Sequence, residues 1–256
     1  MPTTANGDVD LYYETAGDGE TVAFVGDVGY GAWQWGWQHG AVSGPYQSLV
    51  MDVRGAGRSD APPGPYTIDT LVADLVAVLR DAGVRSAHVV GAGLGGMVGL
   101  RAALTTSRVR SLVLIGTAAR GADLHLDPLW GAPDDEAALE RSLAAGLSSE
   151  FVDAHPDAVD QMIEWRAAED ATRGAWAAHA DAVADFDVSD RLYEVTEPAL
   201  VIHGGEDAVW PPSRGAELAA GLPRGEFCRI DDAGHLVHVE ASRRVNDELL
   251  AFLDGV

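Results

Sequence analysis

The sequence contains no lysine. All 17 of its basic residues are arginine, set against 40 aspartates and glutamates, for a formal charge of −23 over 256 residues. Nucleic acid and anionic membranes bind clustered positive charge, so this balance argues against both as partners. Cysteine is almost as scarce. The single Cys228 excludes an intramolecular disulfide and a cysteine-rich metal site. In the strand-like run "GEFCRI" it reads as a small buried hydrophobe. The eight histidines are scattered without ligand spacing, so no metal is expected. No apolar run approaches the length of a membrane span. The opening "MPTTANGDVD" has neither the basic nor the apolar region of a signal peptide, so a cytoplasmic, soluble protein is expected.

What is present suffices for a core. Apolar residues make up 47% of the chain and prolines number only 12, which suits one large α/β domain. An acidic excess of this size repels itself at low ionic strength and is screened by molar salt. The composition resembles that of cytoplasmic proteins from halophiles that accumulate salt.

Strand and helix signals alternate through the first third. "VDLYYET", "TVAFVG" and "QSLVMDV" read as strands, and "IDTLVADLVAVL" (68–79) has apolar residues at helical spacing behind a capping Thr67. "SAHVVGA" and "VRSLVLIGT" are continuous apolar strands flanking the helix "GMVGLRAALTT". This order predicts a mostly parallel sheet of about eight strands covered by helices on both faces. The strand signal disappears over residues 121–191, where three amphipathic or alanine-rich stretches predict an inserted helical lid. Residues 1–120 and 192–256 then form the core, which resumes with "PALVIHG", "PSRGAELAAGL", "EFCRIDD" and "RVNDELLAFL".

The stretch "VVGAGLGGMVGL" (89–100) satisfies two patterns. As G-x-G-x-x-G it is a dinucleotide-binding turn, which expects an acidic residue at the end of the following strand. Between Met97 and Ala122 there is no aspartate or glutamate, and Arg120 alone is thin support for a phosphorylated ribose. No cofactor is therefore expected. As G-x-S-x-G it is a nucleophile elbow with Gly93 where the serine belongs.

Four segments favour the elbow and resemble the lid-bearing branch of the α/β-hydrolase superfamily, which includes esterases, lactonases, dehalogenases and epoxide hydrolases. "MDVRGAGRSD" (51–60) resembles that branch's D-x-R-G-x-G-x-S loop, in which Asp52 and Arg54 read as a stabilising pair. "VVGAGLGG" sits at the elbow. "VIHGGEDAVWP" and "IDDAGHLVHVEAS" resemble the segments that supply the catalytic acid and base, which the resemblance maps onto Asp207 and His235. The order elbow, acid, histidine is the superfamily's own.

Two departures fall on the chemistry. Glycine at 93 has no atom with which to attack. The family's His-Gly after the early strand is replaced by Gly26-Asp27, followed by Val28. The N–H groups of Val28 and Leu94 remain as the oxyanion hole that the resemblance implies. An inward-pointing Asp27 would oppose an oxyanion there by about a few kcal/mol. The expected function is hydrolase-like action on a small ester-, lactone- or carbonyl-type substrate, with an Asp207–His235 dyad as general base and Asp27 as a second acid–base or orienting group. Two alternatives stand beside it: an inactive small-molecule-binding homologue, and a serine hydrolase whose nucleophile was replaced by engineering. Trp33, Trp210 and His238 are candidate substrate contacts, with His238 read as a lid or surface contact. A monomer and a specific dimer are both compatible with the sequence.

Overall fold

A computed structural model describes residues 3–256. Its sheet has eight strands: β1 (Thr3–Asn6), β2 (Val9–Ala16), β3 (Thr21–Val25), β4 (Gln47–Met51), β5 (Ala87–Ala92), β6 (Val109–Ile115), β7 (Ala199–Gly204) and β8 (Gly225–Ile230). They lie in the order β1-β2-β4-β3-β5-β6-β7-β8. The β1–β2 and β2–β4 pairs are antiparallel, and every later pair is parallel. Central strands β3, β5 and β7 are buried along their whole length. That is why they read as unbroken apolar runs rather than as alternations.

Among the described residues ten α-helices accompany the sheet: α1 (Gly36–Val42), α2 (Ile68–Asp81), α3 (Leu94–Thr105), α4 (Glu136–Gly146), α5 (Ser149–Ala154), α6 (Pro156–Glu169), α7 (Arg173–Ala184), α8 (Pro212–Gly221), α9 (Val237–Glu240) and α10 (Ser242–Leu253). Side chains alternate between the faces of a strand, and the core divides accordingly. Ala23, Val25, Val89 and Leu112 pack with Leu75, Met97 and Leu218 of α2, α3 and α8. Val22, Phe24, Val90 and Val113 face the other way, onto Trp35, Val42 and Leu249. Thr67 caps α2 by accepting a bond from the Thr70 N–H, as its sequence position predicts.

Residues between β6 and β7 form α4 to α7, with Asp135 and Ser148 as N-caps and Pro156 opening α6. A third apolar cluster joins Leu143, Val159 and Met162 of these helices to Tyr30, Trp33 and Leu236 beside the sheet's carboxyl edge. No helix among the described residues is long and apolar enough to cross a membrane.

Local readings change in two places. Arg54 forms a bidentate pair with Asp74 of α2, while Asp52 takes the backbone and side chain of Arg58 and the Ala32 N–H. Asp52 and Arg54 are therefore not partners. Cys228 lies on the edge strand β8 and is half-buried rather than enclosed.

Candidate active site

Parallel strands all end at one edge of the sheet, and that edge collects the candidate residues. Asp27 follows β3, Gly93 follows β5, Asp207 follows β7 and His235 follows β8. Gly93 joins strand to helix at φ 45° and ψ −109°, a left-handed turn that favours glycine. A Cβ at Gly91 or Gly95 would strike backbone, that of Gly95 and of Val25 respectively, so the tightness of the elbow is preserved.

The space that a side chain at residue 93 would need is filled. The Asp27 carboxylate turns inward and lies where a Cβ on Gly93 would have to stand. Its Oδ1 accepts the Val28 N–H at 2.7 Å and the Leu94 N–H at 2.8 Å. Its Oδ2 lies 2.7 Å from His235 Nε2. Asp27 thus points into the pair of N–H groups expected to receive an oxyanion, and occupies it. Burial alone would raise this carboxyl. The hydrogen bond and charge of His235, with the Leu94 and Val28 N–H groups, instead hold it below the usual carboxylate range.

On the other side of the ring, His235 Nδ1 lies 2.8 Å from Asp207 Oδ2. Asp207 Oδ1 accepts the N–H groups of Val209 and Trp210 at 3.0 and 2.7 Å. Burial again works against the charge of Asp207, but His235 and the hydrogen bond from His203 hold it well below the ordinary range. His235 itself is buried, which disfavours an imidazolium. The two carboxylates outweigh that burial and push its pKa up to about 10. At neutral pH both ring nitrogens therefore carry protons, and His235 has no lone pair to act as a base in this arrangement. The expected dyad is the middle and one end of a charged chain, Asp207–His235–Asp27.

The candidate substrate contacts are dispersed. Trp210 is fully buried and stacks on His235 with centroids 5.9 Å apart. Trp33 packs against Tyr30 and Trp165, and its Nε1 donates to Asp170 at 2.9 Å. His238 is not a lid or surface contact. It lies buried against Trp35 at 4.7 Å, and burial beside charged His235 pushes it down to about 3, keeping it neutral.

Four supporting residues escaped the sequence reading. His203 Nε2 donates to Trp210 O at 2.7 Å and lies 3.2 Å from Asp207 Oδ2, fixing the acid's loop. A histidine inside the apolar run "ALVIHG" was its available signal. His179 of α7 accepts the Gly29 N–H and donates to Arg54 O, with burial lowering its pKa to about 4. It bridges the Asp27 loop and the Arg54 loop as a neutral ring. Arg166 and Asp170 form a buried pair at 2.6 Å in α6 and the residue after it. Their four-residue spacing was legible, but their burial was not.

Two conclusions follow from comparison with other proteins. The model of the alpha/beta hydrolase fold family matches residues 38–242. The chain belongs to that family. A putative carbamate hydrolase, RutD, of Azorhizobium caulinodans is 30% identical over 98% of both chains. The crystal structure of a hydrolase from Pseudomonas aeruginosa superposes with a TM-score of 0.87 at 28% identity, covering 98% of this chain and 97% of that one. An enol-lactonase from Burkholderia xenovorans shares the fold at a TM-score of 0.90 and 24% identity, over 99% and 100% of the two chains. The fold is thus shared over nearly the whole chain.

Proposed function

We propose that this chain hydrolyses a small organic substrate under a lid formed by residues 121–191, using Asp207, His235 and Asp27 and no nucleophile at residue 93. One observation carries the reading: the buried chain Asp207–His235–Asp27 ends on the two N–H groups of Val28 and Leu94. Burying three ionised groups is costly, and such perturbed clusters are characteristic of functional sites. Relatives named as a carbamate hydrolase and an enol-lactonase bring ester-, lactone- and carbonyl-type compounds into the substrate panel.

A binding protein without catalysis is the second reading, favoured by the way Asp27 already satisfies both His235 and the N–H pair. It predicts ligand retention with no product. A serine hydrolase altered at one position fits less well, because Gly93 and Asp27 share one space and belong together.

The test is turnover of short aryl esters, lactones and small alkyl electrophiles in molar KCl. The hydrolytic reading expects His235→Ala to abolish turnover and Cys228→Ala to leave it intact. Turnover surviving in His235→Ala would sink it.

A further inference from the structure

An oxyanion site serves the carbon whose oxygen its donors hold. Here the Val28 and Leu94 N–H groups both converge on Oδ1 of Asp27. The carbon they are placed to serve is therefore Cγ of Asp27 itself. A substrate carbonyl could use them only by expelling Asp27, which would also break the bond to His235. Hydrolytic chemistry at Cγ requires the carboxylate to become an ester first.

We infer that Asp27 is the nucleophile, its Oδ2 attacking a saturated carbon that bears an anionic leaving group. This rests on the hydrolytic reading above and names its substrate class: small alkyl electrophiles rather than esters. In the first step a lone pair of Oδ2 forms the O–C bond. The bond from carbon to the leaving group breaks, and that group departs with the electron pair as an anion. Asp27 is now a neutral ester, so His235 has lost one of the two charges that held its protons and releases the Nε2 proton to solvent. In the second step Nε2 takes a proton from water, whose oxygen attacks Cγ. The negative charge develops on Oδ1, against the two N–H groups already aimed at it. Collapse breaks the Cγ–Oδ2 bond, and the His235 proton passes to the leaving alkoxide. The alcohol leaves carrying Oδ2, the water oxygen stays on Cγ, and its remaining proton passes to His235 Nε2, which restores both the carboxylate and the doubly protonated ring. The sum is alkyl electrophile plus water giving alcohol, anion and one proton.

The surroundings suit a departing anion. Tyr30 Oη, three residues along from Asp27, and Trp210 Nε1, on the ring stacked against His235, are buried hydrogen-bond donors without partners. Buried donors lacking acceptors are open to the hydrogen bonds that an anion accepts.

The experiment is a single turnover of n-butyl bromide and of n-butyl tosylate in heavy-oxygen water, with Cys228→Ala as the host so that no thiol is alkylated. The expected first-turnover butanol carries ordinary oxygen, and the peptide containing Asp27 gains heavy oxygen. In His235→Gln a butyl adduct accumulates on Asp27 while turnover falls roughly a hundredfold or more. The labelling in the host protein decides the matter even if that variant does not fold. Heavy oxygen in the first alcohol, with none in Asp27, overturns the nucleophile and leaves the hydrolytic reading standing. Turnover of esters or lactones without turnover of either butyl probe does the same. Failure to turn over any member of the panel overturns both.

Discussion

A serine side chain at residue 93 needs the room that the Asp27 carboxylate fills, and it also needs a positive φ that glycine alone adopts without strain. Strain of that kind costs about 1–3 kcal/mol. Gly93→Ser alone should therefore lower the melting temperature and confer no aryl-ester hydrolysis. Combined with Asp27→Gly, which frees the two N–H groups and His235 Nε2, it should give measurable esterase activity. Equal activity in the single and double variants would show that the two positions are independent. The charge on His235 makes a second prediction. Its folded pKa of about 10 lies above the ordinary 6.5, so its contribution to stability is complete below pH 6.5 and is lost as pH rises through 10. Asp27 and Asp207 are lowered from 3.8, so theirs is present above that value and lost in acid. Urea midpoints should be highest between roughly pH 4 and 6.5 and decline toward pH 10, by up to about 1.4 kcal/mol per pH unit. Asp27→Asn should flatten that alkaline decline. A wild-type profile already flat above pH 6.5 would mean that His235 does not keep its second proton.

Elements packed around the Asp27 loop hold it in place. Ala171 N–H donates to Gly29 O, Asp170 takes the Trp33 indole, and Glu169 takes the Trp33 N–H. Burial raises the Asp170 carboxyl above its ordinary range and Arg166 opposes that rise, with its guanidinium also on Ser142 Oγ and 4.8 Å from the Tyr30 ring. Removing one partner of a buried pair leaves an uncompensated charge, so Arg166→Ala should cost about 3–5 kcal/mol in urea unfolding. Arg166→Met with Asp170→Leu should recover much of it. If the double variant is no more stable than the single one, the pair is not what Arg166 contributes. Sequence patterns made β2 to β8, α2, α3, α8 and α10 legible because long apolar periodicities survive without tertiary knowledge. They missed β1, whose "TTAN" has no apolar face, and the short α1 and α5. Motifs likewise singled out Asp207, His235 and Gly93, which the structure brings to one edge of the sheet. The direction of Asp27 was not legible, since it depends on the space left at Gly93 across two neighbouring strands. His179 was missed because its partners are backbone groups of other segments, and His203 because only the folded turn after β7 brings Asp207 and the Trp210 carbonyl onto its ring.

Forty acidic residues against 17 arginines leave an excess of 23 negative charges on one molecule. Exposed pairs such as Arg229–Asp231 and Arg120–Asp123 relieve this locally, but such pairs contribute little. Repulsion among the remaining carboxylates acts over the Debye length, about 30 Å at 0.01 M salt and about 3 Å at 1 M. Adding KCl should raise the melting temperature, with most of the rise complete below about 0.5 M because screening saturates as that length contracts. A fall in melting temperature on adding KCl would mean that the surface pairs outweigh the excess. The buried Asp207–His235–Asp27 chain should respond differently, since groups shut away from solvent are screened much less. In molar KCl the alkaline decline assigned to His235 should therefore persist after the surface repulsion has been removed. Its disappearance in high salt would place the titrating group on the surface, and the link between that histidine and the molecule's alkaline behaviour would be lost.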